Sequence, residues 1–211
     1  MIGLCLAIGF AADAAKPSPW KSLFDGATLK GWKRSDFYQP GEVKVEAAFR
    51  DGGPAILLEK GTFLTGIAWS GPAAELPRNN YEVEVEAMKV EGYDFFCGLT
   101  FPVRDSACTL IAGGWGGSLV GLSSIDDSDA SDNETSSTKN FEVGRWYTFR
   151  VRVTDAKIEA WIDQEQVIDL ETKDRRVGLR YGEIDQSLPL GIAAYQTKAA
   201  IREIRVRKLA P

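Results

Sequence analysis

The chain of 211 residues contains no histidine. Ser-His and Cys-His nucleophile–base pairs are therefore excluded, and so is every histidine-ligated metal centre. Any general acid or base must be Asp, Glu, Lys, Tyr or Cys. Cysteine is scarce, at three residues. Cys5 lies in an apolar N-terminal stretch, which leaves Cys97 and Cys108 as a pair. The pair fits either one disulfide in an exported protein or two buried thiols acting as small apolar groups. Excess positive charge is also lacking: the net charge is −5, and Lys and Arg are scattered among acidic residues. No basic footprint for nucleic acid results. The apolar run Ile2 to Ala12 is shorter than the ~20 residues a membrane-spanning helix needs. No long stretch has helical periodicity.

The N-terminus, MIGLCLAIGFAADA, has the size of a signal-peptide core, and Ala12-Asp13-Ala14 has the form of a small-x-small cleavage site. A basic n-region is missing. Residues 1–14 are read as a leader and 15–211 as one domain, in a secreted or periplasmic protein. An apolar N-terminal strand or helix is the other reading of the leader. The oligomeric state is not encoded in any motif.

Strand alternation is plentiful. Tyr81, Val83, Val85 and Ala87 share one side of a run, and Glu82, Glu84 and Glu86 share the other. Tyr147, Phe149, Val151 and Val153 oppose Thr148, Arg150 and Arg152. After a turn at Asp155-Ala156, Ile158, Ala160 and Ile162 oppose Glu159, Trp161 and Asp163; Asp163-Gln164 then turns the chain again. Ile204 and Val206 alternate with Arg205 and Arg207. Short runs at this spacing, without helices, predict an all-β fold of two antiparallel sheets packed face to face. The charged sides read as solvated sheet faces with pairs worth ~0.2–1 kcal/mol each.

The stretch Asp94 to Thr135 is the organising one. It holds apolar runs, the glycine-flanked Trp115 in Gly113-Gly114-Trp115-Gly116-Gly117, and a nine-residue cluster from Asp126 to Glu134. Trp115 is either an exposed stacking platform on a turn that lets a ligand approach the backbone, or a core residue. No helix pattern or lysine follows the glycines, so this is not a nucleotide loop. The acidic cluster has the oxygen density of a hard-cation site such as Ca²⁺, with Asp127 and Asp132 as ligands, or is a solvated loop. Its spacing is not that of an EF-hand. Under an enzymatic reading, Asp126, Asp129 and Glu134 are the catalytic candidates, because acid–base chemistry can be shared between two neighbouring carboxyls. Asn133, Arg150 and Trp161 complete the candidate ligand contacts, an arginine fork being able to hold two oxygens at once.

Two segments carry a family signature. KSLFDGATLKGW (Lys21 to Trp32) resembles the opening of the 3-keto-disaccharide hydrolase domain family, formerly a domain of unknown function. PLGIAAYQTKAAIREIRVRKL (Pro189 to Leu209) resembles that family's closing strands. KIEAWIDQEQVIDL (Lys157 to Leu170) is similar to its hairpin, with Asp163-Gln164 where Asn-Gly is usual. The resemblance spans nearly all of 15–211. It implies a concanavalin-A-like jelly roll, related in shape to family 16 glycoside hydrolases, together with export and a carbohydrate ligand. It also implies cleavage of glycosides oxidised at the sugar 3-position. There a base removes the acidified C–H beside the ketone and a metal or oriented donor polarises the carbonyl. The chain departs from the family's polar central strand: Phe96-Cys97-Gly98-Leu99-Thr100-Phe101 keeps only Gly98, and Thr109-Leu110-Ile111-Ala112 has no carboxylate. Three functions follow as expectations: a glycoside-cleaving enzyme, a non-catalytic lectin-like module, or an assembly domain.

Overall fold

The computed structural model describes residues 17–50 and 52–210. The expected leader and Cys5 lie outside them. In chain order the strands are β1 (Lys21–Ser22), β2 (Trp32–Arg34), β3 (Val43–Glu46), β4 (Ala55–Leu58), β5 (Leu64–Trp69), β6 (Tyr81–Glu91), β7 (Cys97–Val103) and β8 (Ser106–Gly113). They continue with β9 (Leu119–Ser123), β10 (Ser137–Thr138), β11 (Trp146–Val153), β12 (Lys157–Ile162), β13 (Glu165–Glu171), β14 (Gly191–Tyr195) and β15 (Lys198–Lys208). One sheet has the order β13-β12-β11-β6-β15-β4-β3, with β1 also on β15; the other runs β10-β9-β8-β7-β14-β5-β2. Every pairing is antiparallel. The all-β, two-sheet jelly-roll expectation is met.

The alternation decides which sides meet. Val83, Val85 and Ala87 of β6 stand with Phe149 and Val151 of β11, Ile158 and Ala160 of β12, and Ile201 of β15 in one core. Leu99, Phe101, Leu110, Leu122 and Ile192 come to it from the other sheet. Tyr81 is buried with its hydroxyl donated to Pro102 O at 2.7 Å, so its polar end costs little. The Lys21–Trp32 strap is pinned at both ends. Asp25 accepts hydrogen bonds from the Thr28 hydroxyl and from the Ala27 and Thr28 amides, which pull its pKa down to about 2. Trp32 donates its indole N–H to Leu23 O at 2.8 Å and meets Trp69 edge-on.

The charged face of the larger sheet is less solvated than its sequence predicts. Glu82 is fully buried, accepting from Arg152 Nε at 2.8 Å and Arg207 Nε at 2.6 Å. Glu84 and Glu86 pair with Arg205 and Arg202. The arginines in turn lie on tryptophan rings: Arg202 on Trp146, Arg207 on Trp20, and Arg150 and Arg152 on Trp161. The charge pattern builds a stacked layer of carboxylate, guanidinium and indole.

The expected disulfide is not formed. Cys97 and Cys108 are free and buried. They lie on neighbouring strands but out of register, Cys97 opposite Ala112 and Cys108 opposite Phe101. Four residues of offset at ~3.4 Å each is beyond the ~4.4–6.8 Å Cα separation of a disulfide.

Candidate functional site

The outer face of the smaller sheet carries a groove of about 500 Å³. Its floor is Thr109, Ile111 and Ser123 with Phe95 and Tyr195; Phe63 and Leu64 form one wall, and the segment Arg180–Ile184 forms the other. Thr109, Ile111 and Ser123 face outward because their strand neighbours Cys108, Leu110 and Leu122 face the core. Aromatic rings run along it in sequence: Tyr38 to Phe63, Phe63 to Tyr195, and Tyr195 to Phe95, with centroids 6.4, 6.2 and 5.9 Å apart.

Trp115 stands at the lip, 45% exposed, so the core reading of this residue does not hold. The turn from Gly113 to Ser118 joins β8 to β9, and Trp115 itself sits in the left-handed region at φ 47°, ψ 53°. That conformation costs a non-glycine residue about 1–2 kcal/mol. Asp94 fixes the turn, accepting from its neighbour's amide, Phe95 N, at 2.8 Å and from Gly116 N at 3.3 Å. Gly117 is required by its φ of +108° and by space, since a Cβ there would stand 2.9 Å from Tyr93 O. Lys89 is buried under this turn, and loss of water pushes its amine pKa down.

The acidic loop leaves β9 from the end opposite Trp115, then folds back along it. A Cβ on Gly121 would lie 2.8 Å from Ala130 O, so glycine admits the loop. Asn133 organises the fold-back: its amide donates to the carbonyls of Leu122, Ser128 and Asp129, and its oxygen accepts from Thr135 N and Oγ1. Both ends of Asn133 are thus spent within the loop, which removes it from the saccharide contacts.

The carboxylates of this loop are spent on arginines. Asp126 takes Arg175 Nε at 2.6 Å and Arg176 N at 2.8 Å. Glu134 takes the same Arg175 guanidinium, Asp127 takes Arg176, and Asp129 takes Arg180 Nε at 3.2 Å. The amide of Arg176 and the guanidinium of Arg175 hold Asp126 below the usual carboxylate range; Arg175 does the same to Glu134. Asp126 and Glu134 therefore share one cation rather than one substrate bond. A carboxyl acting as general acid needs its pKa raised, the opposite of what Arg175 does here. Asp132 accepts from Ser131 Oγ at 2.9 Å. Among the described residues no three acidic side chains gather as a metal site, and Asp127, the other residue of the Ca²⁺ expectation, is paired with Arg176.

Arg150 and Trp161 are elsewhere. They face each other across β11 and β12 on the larger sheet, the guanidinium 4.4 Å from the indole centroid, while Trp115 belongs to the smaller sheet. Of the predicted site residues, the structure brings Trp115 to the groove and Asp127, Asp129 and Asp132 to a cavity adjoining it, with Arg180 joining Trp115 to Asp129. Arg180 lies over the Trp115 ring at 5.3 Å and lines both the aromatic groove and an adjoining polar cavity with Ser124, Ser128, Asp129 and Tyr181. Phe63, Asp94, Arg180, Tyr181, Glu183 and Tyr195 carry no local signature of a site. Only Asp94 lies in the stretch that the sequence singles out.

The 3-keto-alpha-glucoside-1,2-lyase-like domain family matches residues 19–207. The chain belongs to this family. The lyase-like domain also resembles solved carbohydrate-active structures in fold. The conserved carbohydrate esterase of Shiga toxin-encoding bacteriophage phi24B superposes with TM-score 0.57 at 12% identity, covering 91% of this chain and 100% of that one. Domain 4 of AbnA, a GH43 extracellular arabinanase from Geobacillus stearothermophilus solved with arabinotriose, superposes with TM-score 0.56 at 13% identity, covering 94% and 95%. At these identities the likeness establishes the jelly roll alone. No curated protein matches the lyase-like domain in sequence. Among the described residues no helix is long and apolar enough to cross a membrane.

Proposed function

We propose that this domain binds a saccharide in the groove of the smaller sheet, with Trp115 as its stacking platform. The observation that carries the reading is an exposed indole held in a strained backbone conformation at the lip of an aromatic-lined groove. Strain of this kind persists where surrounding structure imposes it, and it marks functional positions. Sugar rings present one apolar C–H face and a rim of hydroxyls. The groove offers rings for the first, and Asp94, Thr109, Ser123, Arg180 and Glu183 for the second. Family membership supports an α-glucoside as the ligand class.

A second reading, cleavage of the bound glycoside, is favoured by the chemistry gathered in the groove. Glu183 is a carboxylate there with one oxygen accepting from Tyr38 N at 2.9 Å, Arg180 is a fixed cation, and Asp94 is committed to the Trp115 turn. With a 3-keto glycoside, Glu183 would take the C2 proton beside the ketone and the guanidinium would stabilise the enolate oxygen; the enolate then re-forms the ketone as C1=C2 forms and C1–O breaks, and the leaving oxygen takes the proton back from Glu183. This moves the catalytic candidates from Asp126 and Glu134, which are committed to Arg175, to groove residues; Asp129 keeps a supporting part through Arg180. The N-terminal leader pattern supports export, which fractionation of the native host would test by finding the protein outside the cytoplasm.

The deciding experiment incubates the purified domain with methyl α-glucopyranoside, maltose, trehalose and arabinotriose, and with the 3-keto derivatives of the first three, with and without Ca²⁺. Tryptophan fluorescence reads binding and chromatography reads products. Binding without turnover makes the domain a carbohydrate-binding module, and turnover of the keto sugars makes it a lyase. Absence of both binding and turnover would overturn the groove reading.

A further inference from the structure

We infer that Arg180 is the specificity-determining residue of the groove, and that it selects neutral sugars presenting two adjacent hydroxyls beside the face that stacks on Trp115. The inference rests on the groove being the saccharide site.

Arg180 is placed by two contacts of different kinds. Its guanidinium lies 5.3 Å from the Trp115 ring centroid, and its Nε is 3.2 Å from an Asp129 oxygen. The ion pair uses Nε, so the two terminal nitrogens are left for a ligand among the described residues. The guanidinium is a rigid planar fork whose neighbouring N–H groups reach two neighbouring oxygens at once. Beside an indole, that fork meets the hydroxyl rim of a ring whose apolar face lies on the tryptophan. Asp129 thereby acts as a positioning residue: it aims the fork without touching the sugar.

The charge around Arg180 decides between neutral and anionic ligands. Asp94 and Glu183 line the groove with it, and Asp127, Asp129 and Asp132 line the adjoining cavity. Five carboxylates against two guanidiniums, Arg180 and the Arg176 that pairs with Asp127, leave a net negative field, which repels a uronate and accepts a neutral diol. Asp129 also already neutralises the arginine. The fork therefore works as a donor pair rather than as a free cation.

The test compares binding of methyl α-glucopyranoside, its 2-deoxy and 3-deoxy analogues, and methyl α-glucopyranosiduronate by ligand-observed NMR. The full chain is used, with Arg180→Ala, Arg180→Lys, Asp129→Asn and Trp115→Ala variants. The Arg180 side chain is half exposed, and thermal melts check that each variant folds. In the parent protein a deoxy analogue should bind roughly tenfold more weakly than the glucoside, the loss expected for a hydrogen bond to a charged group. In Arg180→Ala the glucoside and deoxy analogues should bind alike. Arg180→Lys should not restore the difference, since an ammonium lacks the fork. Asp129→Asn should shrink the difference while keeping it measurable. Tighter binding of the glucuronide than of the glucoside would overturn the inference. So would discrimination that survives unchanged in Arg180→Ala while Trp115→Ala abolishes binding; the groove reading would then stand alone. If the parent binds none of these glycosides, the groove reading falls and this inference with it.

Discussion

At the scale of single residues, Trp115 trades stability for exposure. Its left-handed backbone is unfavourable for any residue with a Cβ, and its half-exposed ring recovers little by burial. Replacing it with glycine should keep or raise stability by up to about 1 kcal/mol, because glycine adopts this conformation without a steric penalty. The same change should weaken saccharide binding about tenfold or more through loss of the stacking surface. Urea denaturation and fluorescence-independent calorimetry would measure the two effects separately. A fall in stability above 2 kcal/mol would show that the ring is a packing element instead.

Glu82 makes the opposite trade. It is buried without solvent contact, and Arg152 and Arg207 approach it from the strands on either side. Truncating one member of such a buried group strands the others, at a cost of about 3 kcal/mol. Glu82→Ala should show that loss by chemical denaturation. Glu84→Ala, at a more exposed position, should cost less.

At the scale of elements, the acidic loop is a mount for the groove wall. Residues 124–126 and 176–178 form a short backbone ladder, with Ser124 and Gly178 exchanging N–H···O bonds and Asp126 N donating to Arg176 O. The ion pairs of Arg175, Arg176 and Arg180 flank that ladder. Arg180 to Ile184, the wall itself, follows directly. Asp126 and Glu134 have folded-state pKa values lowered from 3.8 and 4.5. A lowered carboxylate pKa contributes stability that is present above the unfolded value and lost as pH falls through the folded one. The attachment should therefore be complete at neutral pH and released below pH 4. Protection of the 175–184 amides, measured relative to the intrinsic exchange rate at each pH, should fall over that window and at high salt, with Arg175→Ala already poorly protected at neutral pH. Equal protection in that variant and the parent would assign the hold to the backbone ladder alone.

At the scale of the whole molecule, the free thiols report the integrity of the sandwich. Burial pushes the Cys108 thiol up to about 12 and Cys97 higher still, so neither forms a thiolate at neutral pH. Iodoacetamide should leave both unmodified in the folded protein and alkylate both in urea. Reductant should not move the melting temperature. Modification in the native state would mean that the two sheets separate there.

The sheets themselves were readable from residues 81–87, 147–153 and 158–162, because a period of two is a local property that decides which side of a strand is apolar. The family opening at Lys21–Trp32 was readable for a similar reason: Asp25 caps its own turn. The partners of the charged sides were not readable. Whether Arg152 meets water, Trp161 or Glu82 depends on β6 and β12 flanking β11, a pairing of strands some sixty residues apart in one case and next in line in the other. Asn133 looked like a sugar contact and Asp126 like a catalyst because polarity alone does not say whether a group is already spent.

The amino-acid order by itself determined the all-β class, the inward face of each strand and the family, while the exposure of Trp115 came from the tertiary structure. Tertiary structure alone decided the groove. Phe63, Asp94, Trp115, Arg180 and Tyr195 are brought together by the order β9-β8-β7-β14-β5 and by a wall anchored through Arg175. Alternation is written between neighbours two positions apart, whereas a binding site is written between strands that find each other only when both sheets have closed over the core.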